Sequence, residues 1–75
     1  MPKLKITEDS WRDKAFRKRY PNSLAVTDLA YDVLSAADRR MYSSVRRKFA
    51  KETSTEQWYA LSVAILATLY NWKDK

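Results

Sequence analysis

Residues 57–72 carry no charged side chain, sixteen positions in a row within a chain of 75. Wound as a helix, this stretch places Trp58, Leu61, Ile65, Leu69 and Trp72 on one face and Tyr59, Val63, Leu66 and Tyr70 on a second. Ala60, Ala64 and Ala67 form a third, where small side chains let a neighbouring helix approach closely. A helix that is apolar all round must be buried all round or lie in lipid. Sixteen residues rise about 24 Å, against about 30 Å of hydrocarbon in a bilayer, so membrane insertion is not expected. Two readings follow. The helix sits at the centre of a small bundle, or its Tyr59, Val63, Leu66 and Tyr70 face is completed by a second copy or another partner.

The remaining helices are marked by their ends. Thr7 and Asp9 can cap a first helix starting near residues 7–10, with Trp11, Ala15 and Phe16 on its apolar side and Arg17, Lys18 and Arg19 in its last turn. Pro21 drives Tyr20 out of helical geometry and ends it. A second helix starts at Asn22/Ser23, or restarts at Thr27, and carries Leu24, Leu29, Ala30, Val33 and Leu34. Ser35-Ala36-Ala37-Asp38 reads as a capping box with Asp in place of Glu, opening a third helix that runs to about Lys51. Its apolar positions, Met41, Tyr42, Val45 and Phe49, share one face. Thr53 with Glu56, and Ser54 with Gln57, are overlapping capping boxes for the fourth helix. Without glycine the connections rely on Pro, Asn, Ser and Thr. Residues 1–6 are expected to be an arm that tucks Leu4 or Ile6 beneath the first helix. The expected fold is all-α, a single domain over residues 1–75, as a compact bundle of three to four helices with the apolar C-terminal helix at its centre.

Charge is concentrated in the third helix. Residues 39–51 hold six bases and no acid, whereas residues 23–38 hold three acids and no base. On a helical wheel Arg39, Arg40, Arg46, Arg47 and Lys51 fall opposite the apolar face. A helix built for solubility alone mixes signs to gain pairs one turn apart. An unmixed stripe repels itself, and a polyanion relieves that repulsion while releasing counterions. Guanidinium groups also suit bidentate contact with phosphate or carboxylate, and Ser43 and Ser44 can add hydrogen bonds. Arg17, Lys18 and Arg19 either extend this surface or pair with Asp28 and Asp32.

The composition argues against catalysis. There is no His or Cys to hold zinc or iron, or to act as an ordinary nucleophile–base pair, and no Gly for a phosphate-cradling loop. No catalytic residue, metal site, cofactor or small-molecule substrate is expected. Met1-Pro2-Lys3 is not followed by a continuous apolar stretch, so a cytoplasmic or nuclear location is the default. The leading expectation is a small basic regulatory or accessory protein that binds nucleic acid through the third helix. A helix-turn-helix placement fits the order of elements, although the usual turn glycine is missing. The alternative is an interaction module that docks an acidic or amphipathic protein segment, as a monomer or a homodimer.

Overall fold

A computed structural model of the chain describes residues 5–51 and 54–72, with the Trp72 side chain left aside. A 3₁₀ turn, Ser10–Arg12, precedes four α-helices: α1 (Lys14–Arg19), α2 (Ser23–Val33), α3 (Ala36–Lys48) and α4 (Thr55–Trp72). No strand occurs among the described residues. The expected all-α bundle is the observed fold.

Local chemistry sets the boundaries. The Asn22 side chain accepts from the Ala25 N–H at 2.9 Å, and Ser35 Oγ accepts from the Asp38 N–H at 3.3 Å. Ser35 also donates to the Asp38 carboxylate at 3.1 Å, so the hydroxyl and the acid three residues on are linked in both directions. Ser54 Oγ accepts from the Gln57 N–H at 3.4 Å, while Thr53 lies outside the described residues. The α2 start at Ser23 is the first of the two expected, not the restart at Thr27.

Two boundaries differ from expectation. The first α-helix begins at Lys14, not near residues 7–10, because Asp13 is extended and its carboxylate caps the Ala15 N–H at 2.8 Å. Upstream, Ser10 Oγ accepts from the Thr7 N–H, so Ser10 locks a tight turn instead of leading a helix. The third helix stops at Lys48, since Phe49 N–H turns to the Arg46 carbonyl and Ala50 N–H to the Arg47 carbonyl, each three residues back, and residues 49–51 leave the helical path. No positive φ occurs among the described residues, so these turns are made without any conformation that calls for glycine.

The core is built around α4. Tyr59, Val63, Leu66, Ala67 and Leu69 are buried there against Val26, Leu29 and Ala30 of α2, Leu34 at its end, Tyr42 of α3 and Phe16 of α1. Trp11 of the 3₁₀ turn packs at its margin. The face expected as a possible interface is thus one that the chain covers itself. Tyr59, Val63 and Leu66 are covered within one chain, and Tyr70 packs against the same core, so that face is not open to a second copy. The Tyr59 hydroxyl donates to the Tyr20 carbonyl, tying α4 to the end of α1. Ile6 is buried, as expected of the arm, and its carbonyl accepts from Asn71 Nδ2 at 2.7 Å; Leu4 lies outside the described residues.

The molecule is flat, 36 × 29 × 18 Å along its principal axes. Its thin dimension holds about two helix diameters. On the outer side of α4 the described residues give only partial cover: Leu61, Ala64 and Ile65 are half-buried and Thr68 is exposed. No described helix is long and apolar enough to cross a membrane.

Candidate anion-binding cleft

The rotational setting of α3 decides which cations are free. Its inward line is Asp38 and Tyr42, one turn apart, with Arg46 next. Met41 and Phe49, expected inside with Tyr42, are instead about half exposed at 52% and 47%. Val45 is partly covered. The apolar face is thus turned so that its polar flank, not its centre, meets α4.

Arg46 is the consequence. Its guanidinium carbon lies 5.6 Å from the Tyr42 ring centroid and 4.9 Å from that of Trp58. Its Nε is buried without a hydrogen-bond partner. The expectation that Arg46 projects into water with its neighbours is corrected: two aromatic faces draw the cation in and its stem packs beside them.

The other arginines do converge. Arg39, Arg40 and Arg47 of α3 line one open cleft of about 420 Å³, together with Ser43 and Ser44 and with Tyr31 from α2. Tyr31 Oη and Ser43 Oγ are 2.6 Å apart and bridge the two helices. Arg39, Arg40 and Arg47 make no ion pair with any described residue. Asp28 and Asp32 flank Tyr31 in the sequence of α2 and pair with none of these bases among the described residues. Arg39 and Arg40 stand near the positive end of the α3 dipole, which adds to the unrelieved potential, whereas Arg47 in the last turn is favoured by it.

Along α3, Arg40 and Arg47 are separated by seven residues, a rise of about 10 Å. Each guanidinium can grip an anionic oxygen pair, and the Ser43 and Ser44 hydroxyls can donate between them. Tyr31 was missed in the sequence because it stands on another helix. Its sole signal there was an aromatic placed between two acids on a largely aliphatic helix.

The remaining expected cations are dispersed. Lys51 is exposed in the turn after α3 and does not line the cleft. Lys18 and Arg19 are exposed on α1, and Arg19 lies 6.0 Å over the Tyr20 ring. Arg17 pairs with Glu56, not with Asp28 or Asp32, through Nη2 contacts of 2.8 and 2.6 Å to its two carboxylate oxygens. It also lies 5.1 Å over the Tyr59 ring. Hydrogen bonding to Glu56 pushes the Arg17 guanidinium pKa up. Burial is the main cause that raises the Tyr59 phenol pKa, and Arg17 opposes it.

Among the described residues no three potential ligands gather to hold a metal ion. Comparison with protein-family models, with curated proteins and with solved structures gives no match for this chain.

Proposed function

We propose that the protein is a small non-enzymatic accessory protein that binds nucleic acid by its phosphate backbone through the α3 cleft. The observation that supports this reading best is the set Arg39, Arg40 and Arg47, gathered with Ser43 and Ser44 in one open cleft and unpaired among the described residues. Structural arginines on this chain find partners, as Arg17 and Arg46 do. The three in the cleft are held on one rigid helix at a spacing suited to an extended polyanion. The contact set is positional, with no base-reading element, so it favours backbone recognition over sequence readout.

The test is titration of labelled duplex and single-stranded oligonucleotides at low and moderate salt. The parent chain is compared with the triple variant Arg39→Gln/Arg40→Gln/Arg47→Gln. Backbone binding of this kind falls in the range of about 1–100 μM, weakening as salt rises. The triple variant loses most of it, and the slope of log affinity against log salt shrinks by about 0.9 for each phosphate contact removed. No binding to either oligonucleotide at low salt, or equal binding by a folded triple variant, overturns the reading.

A further inference from the structure

On the opposite flank of α3 from the arginine cleft lies an apolar groove of about 290 Å³. Met41 and Val45 form one wall, and Ala64, Ile65, Thr68 and Leu69 of α4 form the other. Every lining side chain except Thr68 is hydrocarbon or thioether. Met41 and Val45 are one turn apart, a rise of about 6 Å, and Phe49, about half exposed, follows just past the end of α3. These are the residues whose spacing looks like a core face but whose rotation leaves them outward. Met41 and Phe49 lie outside the core cluster of the described residues, and both keep about half their surface in water.

The charge around the groove identifies its occupant. Lys48 is exposed on α3 one turn beyond Val45, and Lys51 is exposed in the turn that follows the helix. The α4 wall has no charge at all between Gln57 and Asn71. The α3 wall is thus followed along its own helix by a cation and the α4 wall by none, within a chain of net charge +6. A second copy would bring its own cations against these, at an electrostatic cost. A helix with an apolar stripe and acidic flanks meets both walls favourably. Ala64 lets its backbone come close, and the unbranched Met41 side chain can adapt to its surface.

We infer that the α3/α4 groove is a docking site for an acidic amphipathic helix of a partner protein, which seats two turns of its apolar face between Met41 and Ile65 and sets its carboxylates against Lys48 and Lys51. This is the helix-in-groove mode of recognition. It uses none of Arg39, Arg40 or Arg47 and stands independently of nucleic-acid binding at the cleft.

The probe is a synthetic end-capped 16-residue peptide with leucine along one helical face and glutamate elsewhere. Its controls are a scrambled peptide of equal composition and the same helix with lysine replacing glutamate. Labelled methionine methyl groups report the site directly, because the chain has two Met residues and Met41 is in the groove. The acidic helix is expected to shift the Met41 methyl signal saturably, and the lysine helix to bind at least about tenfold more weakly. Met41→Glu is expected to weaken the acidic helix by about tenfold or more while the thermal midpoint holds, since Met41 is exposed. The Arg39→Gln/Arg40→Gln/Arg47→Gln variant is expected to keep the peptide while losing oligonucleotides. Equal binding of the scrambled peptide with an unmoved Met41 signal overturns the inference. So does a dimer in sedimentation that Met41→Glu dissolves, which assigns the groove to a second copy. An oligonucleotide that moves the Met41 signal as the peptide does assigns it to nucleic acid instead.

Discussion

The guanidinium of Arg46 lies 4.9 Å from the centroid of the Trp58 ring, joining the last turn of α3 to the first turn of α4. It fixes the roll of α3 and so decides which of its arginines face water. Arg46→Ala removes a partly desolvated cation–π contact and the packing of the stem, and is expected to cost about 1–2 kcal/mol. In a domain of this size that lowers the thermal midpoint by about 4–16 °C. Arg46→Met keeps the stem and deletes the unpartnered buried Nε, so it is expected to stay near the parent stability. Urea unfolding followed by tryptophan emission orders the three proteins. Oligonucleotide affinity should fall less for Arg46→Met than for Arg40→Gln. The reverse order would return Arg46 to the binding surface.

Tyr42 is fully buried, and its hydroxyl makes no well-aligned hydrogen bond. Its nearest polar neighbours are Thr27 and Ser62, whose hydroxyls each donate to a carbonyl one turn back on their own helix. Burial raises the phenol pKa above its ordinary 10.0, with Thr27, Arg46 and Ser62 opposing. A pKa raised on folding means that the native state holds its proton longer than the unfolded chain does. Stability is then intact below pH 10.0 and falls as pH climbs from there toward the folded value. Tyr42→Phe is expected to hold or raise stability at neutral pH by up to about 1 kcal/mol, since it deletes an unsatisfied buried group. It should also flatten the alkaline decline. Denaturant midpoints between pH 7 and 11 measure both effects, and an unchanged alkaline slope would place the titration elsewhere.

What could be read from the sequence follows the range of the interactions involved. Asn22, Ser35 and Ser54 announce their helices because a cap is satisfied within three residues. The buried line Tyr59, Val63, Leu66 on α4 is visible as a periodic face, although periodicity alone did not say that the chain covers it by itself. The roll of α3 was not legible. Asp38 and Arg46 look like solvent residues in a hydrophobicity pattern, yet the cap tolerates one and two aromatic rings accept the other. Of the cleft, Arg39, Arg40, Arg47, Ser43 and Ser44 come from one helix and could be grouped in advance, whereas Tyr31 required the packing of α2 on α3. The partner of Arg17 is 39 residues away, and nothing local favours Glu56 over Asp28.

The Arg17–Glu56 pair is solvent-accessible on both sides, with side-chain exposures of 42% and 55%. An exposed pair gains little against water and loses that gain to salt. Its two contacts and the Tyr59 ring beneath give it better geometry than a lone surface pair. A double-mutant cycle with Arg17→Gln and Glu56→Gln is expected to show a favourable coupling at low ionic strength that shrinks toward zero in molar salt. Oligonucleotide binding should be little changed by either substitution, because Arg17 is engaged on the α1 side of the molecule. A salt-independent coupling would show that packing on Tyr59, not charge, holds Arg17.

Among the described residues that precede the 3₁₀ turn, Ile6 is held both by its side chain and by its carbonyl. Ile6 is 1% exposed and belongs to the core cluster, and its carbonyl takes the Asn71 amide at 2.7 Å across 65 residues of sequence. Side-chain burial and the hydrogen bond act on the same residue from opposite directions, so they can be separated by mutation. Ile6→Ala empties a site in the core and is expected to cost about 2–5 kcal/mol. Such a loss is a large share of the stability of so small a domain, and partial unfolding at 37 °C should accompany it. Asn71→Ala leaves the Ile6 carbonyl without its donor and is expected to cost about 1 kcal/mol. If the arm and the last turns of α4 come apart together, the double variant is less destabilised than the sum of the two, because either change alone already frees the contact. Amide exchange of the α4 end reads this directly. Faster exchange confined to the residues around Asn71 in Asn71→Ala, and spread to Tyr59 and Val63 in Ile6→Ala, is the expected pattern. Uniform exchange in both would mean that the arm contributes no more than any other core position.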